Sequence, residues 1–335
     1  MGQKVIYAVL ILGFVAFVLY FILFINPAQV AAILLKTKLP LYAGAFIAYS
    51  IYVVFSSLVW RSLLSNLQVR ISTLKALLFT WVGLFFDATV PQLGWSAEVS
   101  KTYLLTKDSS FEAGKIGASV VGQKIFNMTI TVVTMGLGLG LVLSSYSLPL
   151  IVTFLISLVL ALSILTLIVV YYISIKPSAT KTLLNWGISI ALFFRKTWDP
   201  SGFRLKADAL LSTFHMGMQQ LRISPKSLIK PIIYSIVSFI FEISVTFITF
   251  AALGYPVPVD KVLIVFTLTG VLQTVGVTFF GFPELIMSVT FTALGIPPAL
   301  SVSVALLVRF VSLWFRLVVS YAALQWAGMK ILRGK

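Results

Sequence analysis

The chain has 335 residues, of which 59% are hydrophobic and only 10% are charged, and it contains no cysteine. Soluble domains carry roughly 25% charged residues, well above the fraction in this chain. The apolar residues form runs of about 20, the length that a helix needs to cross a bilayer. The composition therefore predicts an all-α polytopic membrane protein and argues against a soluble domain or an outer-membrane barrel. The formal net charge of +16 is typical of basic loops that meet anionic lipid head groups, so we expect no nucleic-acid partner, and the lack of cysteine excludes disulfides and thiolate metal sites.

The apolar runs predict six full membrane spans, called spans 1 to 6 here, and two interrupted hairpins. The spans cover roughly residues 4–25, 41–64, 113–143, 148–174, 231–253 and 297–328. A short amphipathic segment at 28–39 links the first two spans. Because the interrupted segments partly cross the bilayer, we expect a conventional count to give about eight transmembrane helices.

Two apolar stretches are broken in the middle by proline and glycine. They are residues 74–106, broken at 89–94, and residues 261–294, broken at 279–284. A break inside a membrane leaves backbone groups without partners, so it must be buried in protein or line a wet cavity. Paired breaks of this kind point to a transport site near the midplane, where we expect the two re-entrant tips to meet. The residues that form the breaks are Pro91, Gly94, Gly281 and Pro283.

The only extended polar region is 176–230, which holds nine basic and two acidic residues. It also carries an apolar face that includes Trp186, so we expect one or two amphipathic helices on the membrane surface, broken near Asp199. The single histidine, His215, lies in this region, and we interpret it as a solvated or interfacial residue. No carboxylates accompany it in a pattern that would bind a metal, and no cofactor is expected.

The distribution of basic residues predicts the orientation. If each hairpin returns to the side from which it entered, 19 Lys and Arg residues fall on one side and three on the other. Basic loops face the cytoplasm, so we expect a multi-pass protein of the cell membrane with both termini and residues 176–230 in the cytoplasm.

The order of the segments predicts an internal repeat. A single membrane domain, 1–335, divides into a first repeat at 1–145 and a second repeat at 146–335, which contains the amphipathic insert. Each half reads as span, span, hairpin, span, so the halves have opposite orientation. Glu98 precedes Lys124 by 26 residues, and Glu284 precedes Arg309 by 25.

Charged residues inside apolar segments are costly and are therefore paired or face a cavity. The first hairpin also contains the basic residue Lys101. Polar residues recur at helical spacing on three spans, which suggests one shared interior. The charged residues in apolar surroundings are Asp87, Glu98, Glu242, Glu284, Lys124, Arg309 and Arg316. The polar stripes are Lys124, Asn127, Thr131 and Thr134 in span 3; Ser235, Ser238, Glu242, Thr246 and Thr249 in span 5; and Ser301, Ala305, Arg309, Ser312, Arg316 and Ser320 in span 6.

Two interpretations of these charges remain open at this point. In one, Glu242 and an arginine form a single buried pair that fixes helix register. In the other, a wet basic cavity binds an anionic group such as a phosphate, for which the planar fork of arginine is suited. Both interpretations predict that Glu242 lies within ion-pair distance of Arg309 or Arg316. In the second, the substrate-binding residues are Lys101, Lys124, Arg309 and Arg316, countered by Glu98, Glu242 and Glu284.

Short motifs resemble the lysylphosphatidylglycerol synthase transmembrane-region family, which includes the flippase domain of the multiple peptide resistance factor. In the first hairpin they are Pro91–Gly94 and Glu98–Leu105, followed by Ala118–Val121. In the second they are Gly281–Glu284, Leu294–Ile296 and Ala305–Arg309. The chain departs from the family where it has Gln123-Lys124, since family members usually have a Glu-Arg pair there.

The resemblance implies a protein that moves polar lipids between leaflets, with membrane lipids as partners. Relatives found beside glycosyltransferases make a lipid-linked sugar a possible cargo, and a non-transporting scaffold for a membrane glycosyltransferase or lipid-modifying enzyme is the alternative. A membrane enzyme would need paired acids for Mg²⁺, such as Asp-x-x-Asp, which the sequence lacks. We therefore expect a lipid transporter and not an enzyme.

Overall fold

The computed structural model describes residues 27–90, 95–145, 150–194, 199–275 and 281–333, and these residues form helices and short connections, with no strand among them. The helices are α1 Pro27–Leu35, α2 Leu39–Asn66, α3 Thr73–Thr89, α4 Ser96–Asp108, α5 Ala113–Ser145, α6 Leu150–Ile175 and α7 Pro177–Phe194. They continue with α8 Ser201–Ile223, a 3-10 turn at Pro225–Leu228, α9 Ile229–Ala252, α10 Val259–Val275, α11 Phe282–Ala293, α12 Pro298–Arg309 and α13 Arg316–Arg333. The predicted all-α class is confirmed.

Among the described residues, five helical stretches are long and apolar enough to cross a membrane, and they coincide with predicted spans 2 to 6. These stretches are Leu39–Asn66, Ala113–Ser145, Leu150–Ile175, Pro225–Ala252 and Pro298–Gly328. Predicted span 1, at 4–25, lies outside the described residues. The chain is therefore a multi-pass helical membrane protein over the part that the structure describes.

The two interrupted stretches form pairs of short helices, α3 with α4 and α10 with α11. These helices have 17, 13, 17 and 12 residues. A full crossing needs about 20 residues. Pro91 and Gly94 lie outside the described residues, whereas Gly281 precedes α11 with φ of 98°, a conformation that favours glycine. Pro283 is the second residue of α11, so the second break ends earlier than the sequence predicted.

Each short-helix pair is closed at its base by a lysine. In the first pair, the Lys75 ammonium near the start of α3 forms an ion pair with Asp108, the last residue of α4. In the second pair, Lys261 Nζ near the start of α10 donates to the carbonyl of Leu294, which caps α11, at 2.6 Å. Within each pair, the start of the first helix and the end of the second therefore lie side by side.

The centre of the bundle is built from α2 and α9, which pack along each other. Ser238 on α9 donates to the carbonyl of Tyr52 on α2 at 3.1 Å. The first short-helix pair packs through α3 against α13, and the second packs through α10 against α5. One apolar cluster, which includes Val53, Phe250 and Phe291, joins α2, α9, α11 and α12. This arrangement brings both short-helix pairs and both of their following helices to the same interior.

The polar insert forms two helices, α7 and α8, as its sequence predicted. The C-terminal half of α8 packs against the start of α5, where an added Cβ on Gly217 would lie 2.8 Å from Cβ of Ala118. Gln220 on α8 donates to the carbonyl of Asn66 at the end of α2, and Asn66 donates to the carbonyl of Ser227. The insert therefore lies at the same end of the bundle as the end of α2.

The last helical stretch changes its geometry between two arginines. Residues Phe310–Phe315 form a π-helical segment that joins α12 to α13, with Arg309 before it and Arg316 after it. A π-helix bonds residue i to i+5 and so turns through a smaller angle per residue than an α-helix, and such segments are frequent at functional sites. The regular stripe predicted for span 6 is therefore interrupted, and the two arginines meet different partners.

Candidate functional site

The best-satisfied charge pair in the interior joins Glu284 on α11 to Arg309 on α12. Arg309 Nε donates to Glu284 Oε1 at 3.0 Å, and both side chains are less than one-tenth exposed. Glu284 Oε2 accepts from the backbone N–H of Gly281 at 2.9 Å. Glu284 thus caps its own helix and neutralises Arg309, as a buried pair requires if it is to offset its desolvation.

The corresponding pair in the first half joins Glu98 on α4 to Lys124 on α5. Lys124 Nζ lies 3.2 Å from Glu98 Oε1 and also sits over the ring of Trp95, 5.3 Å from its centroid. The other oxygen, Glu98 Oε2, is buried and has no hydrogen-bond partner in the described part of the chain. This pair is therefore less completely satisfied than Glu284 with Arg309.

Lys101, one helical turn after Glu98, is a buried cation without a direct carboxylate partner among the described residues. Its Nζ donates to Gln123 Oε1 at 3.0 Å and lies 5.2 Å from the centre of the Trp60 ring. Gln123 is itself held by the Ser56 carbonyl, to which its amide nitrogen donates at 2.9 Å. Because a neutral amide stands beside the ammonium, Lys101 leaves a positive charge in this cluster.

Arg316 pairs with Asp87 on α3, a residue that was absent from the predicted set of substrate-binding residues. The Arg316 Nη1 to Asp87 Oδ2 distance is 3.5 Å, and the side chains are 11% and 27% exposed. Arg316 Nε and Nη2 are buried and have no hydrogen-bond partner within the described residues. The isolated carboxylate of Asp87 in an apolar run was the available sequence signal, and only its position on α3 against α13 reveals its partner.

The prediction that Glu242 forms an ion pair with Arg309 or Arg316 is wrong. Those arginines pair with Glu284 and Asp87 respectively, and no ion pair within 4.0 Å reaches Glu242 in the described part of the chain. Glu242 nevertheless lies within electrostatic range of Arg316. The reason is the π-helical segment and the packing of α3 on α13, which together place Asp87 on the guanidinium.

The predicted polar stripes on α9 and on α12 to α13 mostly face inward, whereas the stripe on α5 does so only in part, through Lys124, which pairs with Glu98. Asn127 is exposed, and the buried polar residue of α5 at this level is Gln123. The buried members of the other two stripes are Ser235, Ser238, Thr246, Thr249, Ser301, Ala305, Arg309 and Ser320. Two of the hydroxyl oxygens on α9, those of Ser235 and Thr246, have no partner among the described residues.

These charged side chains form one connected network across the interior. Asp87 lies within electrostatic range of both Lys101 and Arg316, and Arg316 lies within range of Arg309. Tyr49 and Tyr52 on α2 adjoin Arg316. The network contains four bases and four acids: Lys101, Lys124, Arg309, Arg316, Asp87, Glu98, Glu242 and Glu284. The net positive charge predicted from the sequence is therefore balanced once Asp87 is included.

Comparison with known proteins gives the same family as the motifs. Residues 5–320 match the family model described as Lysylphosphatidylglycerol synthase TM region. A UPF0104 membrane protein of Pyrococcus horikoshii is 24% identical over 318 residues, which cover 92% of this chain and 93% of the relative. A UPF0104 membrane protein of Methanocaldococcus jannaschii is 24% identical over 319 residues, covering 94% and 93%. No solved structure matches the chain.

Proposed function

Because the chain belongs to the family of the lysylphosphatidylglycerol synthase TM region, we propose that it moves lipids with anionic or sugar-linked polar head groups between the leaflets of the cell membrane. The head group would pass through the charge network between the two short-helix pairs. A polar group in that position exchanges the hydrocarbon of the bilayer for fixed charges and hydrogen-bond donors, which lowers the cost of crossing.

The observation that carries this proposal is the incomplete hydrogen bonding of the Arg316 guanidinium, which pairs with Asp87 through Nη1 and hydrogen-bonds to the Tyr49 hydroxyl. Two of its nitrogens, Nε and Nη2, are buried without an acceptor in the described part of the chain. A buried donor without a partner costs about 1–3 kcal/mol, and more when the group is charged. Nε and one Nη form the fork that binds phosphate oxygens in a bidentate manner, so an anionic head group would satisfy the donors that the protein leaves open.

We further propose that the chain is an inverted repeat with two re-entrant hairpins. Each pair of short helices is closed at its base by a lysine: Lys261 and Leu294 are 33 positions apart in sequence, and so are Lys75 and Asp108. Each also carries a glutamate that pairs with a base on the following helix. These matched contacts support two equivalent halves, in which each hairpin returns to the side where it began.

In this arrangement the two glutamate–base pairs have different roles. Both oxygens of Glu284 accept hydrogen bonds, one of them from Arg309 Nε, so this pair holds the second hairpin against α12. Glu98 and Lys124 are each partly exposed, 16% and 18%, and Glu98 keeps one open oxygen in the described part of the chain. This pair, together with Lys101, is therefore the better candidate for direct contact with a polar head group as it enters.

The proposal is tested with purified protein reconstituted into vesicles that contain fluorescent phosphatidylglycerol, whose accessibility is measured with an impermeant quencher. Wild-type protein should expose the inner-leaflet lipid. Replacing Arg316→Ala removes the open fork, so the rate should fall by roughly 10- to 100-fold, as expected for the loss of about 1.5–3 kcal/mol of hydrogen bonding to a charged group. Arg316→Lys should give an intermediate rate because it keeps the charge without the fork.

The matched control is Arg61→Ala. Arg61 lies at the end of α2, and its Nε donates to the carbonyl of Ile71, outside the network. Its loss should leave the rate unchanged. Lipid movement by Arg316→Ala at the wild-type rate would rule out the head-group role. If wild-type protein moved no lipid and a membrane glycosyltransferase co-purified with it, a non-transporting scaffold would be the better account.

A further inference from the structure

Among the described residues, the charge network holds one carboxylate, that of Glu242, with which no base forms an ion pair. Arg316 is already paired with Asp87, and Glu242 is the additional acid near them. In the part of the chain that the structure describes, no ion pair or hydrogen bond reaches the Glu242 carboxylate. An unpaired carboxylate in the middle of a membrane-spanning helix is costly, and the usual outcome is that it binds a proton.

We propose that Glu242 is a proton-binding site whose occupancy is coupled to an anionic head group on Arg316. The inference takes the anionic head group from the proposed function and adds a proton as the ion that drives or accompanies movement of the lipid. The reaction is a simple protonation, in which the carboxylate takes up one proton and becomes a neutral carboxylic acid. No other bond is made or broken.

The charge count of the network explains the coupling. With every group ionised, the four bases and four acids cancel. When Glu242 is protonated, the network carries a net charge of one positive unit, which favours an anion. When an anion is bound beside Arg316, a charged Glu242 would face a second negative charge, so the bound anion favours protonation. The two effects express one coupling free energy, because the proton and the anion each change the affinity for the other by the same factor.

The surroundings of Glu242 fit a proton site. Within the described residues, the groups of other helices that lie within electrostatic range of Glu242 are Tyr49 and Tyr52 on α2 and Arg316 on α13. Asp87 on α3 forms its ion pair with Nη1 of that arginine. Along α9 itself, the buried hydroxyl of Thr246 lies one turn away and has no partner in the described part of the chain. Hydroxyl groups with open hydrogen-bonding capacity can accept or pass on a proton.

The first test reads the proton directly. Infrared difference spectra of wild-type protein and Glu242→Gln should show the carbonyl band of a protonated carboxylic acid that is lost in the variant and that disappears from the wild type as the pH is raised. Glu112→Gln is the control, because Glu112 is half-exposed and pairs with Lys115 outside the network; it should leave the band unchanged. A band that is absent from wild type across the titration, or is unaffected by Glu242→Gln, would overturn the proton site.

The second test reads the coupling. Calorimetric titration with short-chain phosphatidylglycerol, in two buffers of different ionisation enthalpy, should show proton uptake on binding by the wild type and none by Glu242→Gln. Lipid binding without proton uptake would overturn the coupling. If vesicles show no lipid movement but the infrared band titrates, the proposed function fails and the proton site stands. If lipid moves but no protonated acid is found, the proton site fails and the proposed function stands.

Discussion

Glu98 and Glu284 occupy the same place in the two short-helix pairs: each is the third residue of its helix and forms an ion pair with a base on the helix that follows. They differ in how completely they are bonded. Glu284 uses both oxygens, whereas Glu98 leaves one oxygen open within the described residues. One position thus holds a carboxylate with both oxygens bonded, and the other holds a carboxylate with an acceptor that a ligand could use.

We expect the Glu284–Arg309 pair to stabilise the fold. Arg309→Ala leaves a buried carboxylate without its base, which should lower the free energy of unfolding by about 3–5 kcal/mol. Thermal unfolding in detergent, followed by the fluorescence of the tryptophans, would measure the loss.

The double variant Glu284→Gln with Arg309→Gln is the informative companion. It removes both charges together, so it should recover part of the stability lost in Arg309→Ala. Lipid movement separates the two roles of Arg309. If the double variant recovers stability but still moves lipid more slowly than the wild type, Arg309 belongs to the head-group site. Equal stability of Arg309→Ala and wild type would contradict the structural role.

The positive charge of Lys101 should govern how strongly the first cluster attracts anions. Gln123→Glu places a carboxylate where the amide now accepts from Lys101 at 3.0 Å, so the two should form an ion pair. We expect slower movement of fluorescent phosphatidylglycerol and little change for phosphatidylcholine, because the pair removes one net positive charge. A variant that slowed both lipids equally would indicate a structural effect and count against this role for Lys101.

The contact between α8 and α5 should be intolerant of side chains at Gly114. A Cβ added there would lie 1.9 Å from Thr213 Oγ1 and 2.5 Å from the carbonyl oxygen of Leu210. Gly114→Ala should therefore destabilise the protein by about 1–3 kcal/mol through overpacking. Gly136→Ala on the same helix is the control, since an added Cβ there meets nothing within 4 Å. A melting temperature for Gly114→Ala at or above that of Gly136→Ala would show that α8 is not held there.

The insert that contains α7 and α8 should face the cytoplasm. The chain has no cysteine, so Ser201→Cys at the start of α8 introduces a single reactive thiol at an exposed position. An impermeant maleimide should label it in inside-out vesicles and not in intact cells, because basic segments remain on the cytoplasmic side. Labelling from outside intact cells would reverse the predicted orientation.

The sequence by itself determined the fold class, spans 2 to 6 and the positions of the two interruptions, because the cost of placing backbone and charge in hydrocarbon acts on every segment separately. The similar separations of Glu98 from Lys124 and of Glu284 from Arg309 were a sign of an internal repeat, although the ion pairs that these residues form were not predicted. These are properties of one segment or of neighbouring ones, and they need no knowledge of how distant helices pack.

Only the tertiary structure decided which acid meets Arg316. Seven residues separate it from Arg309, and in a regular helix both would face Glu242 on α9, as the stripe suggested. The π-helical segment between them and the packing of α3 on α13 direct Arg316 to Asp87 and leave Glu242 without a base in the described part of the chain. Contacts between helices far apart in sequence depend on the rotation of each helix about its axis, and a one-dimensional pattern does not fix that rotation when the helix geometry changes along its length.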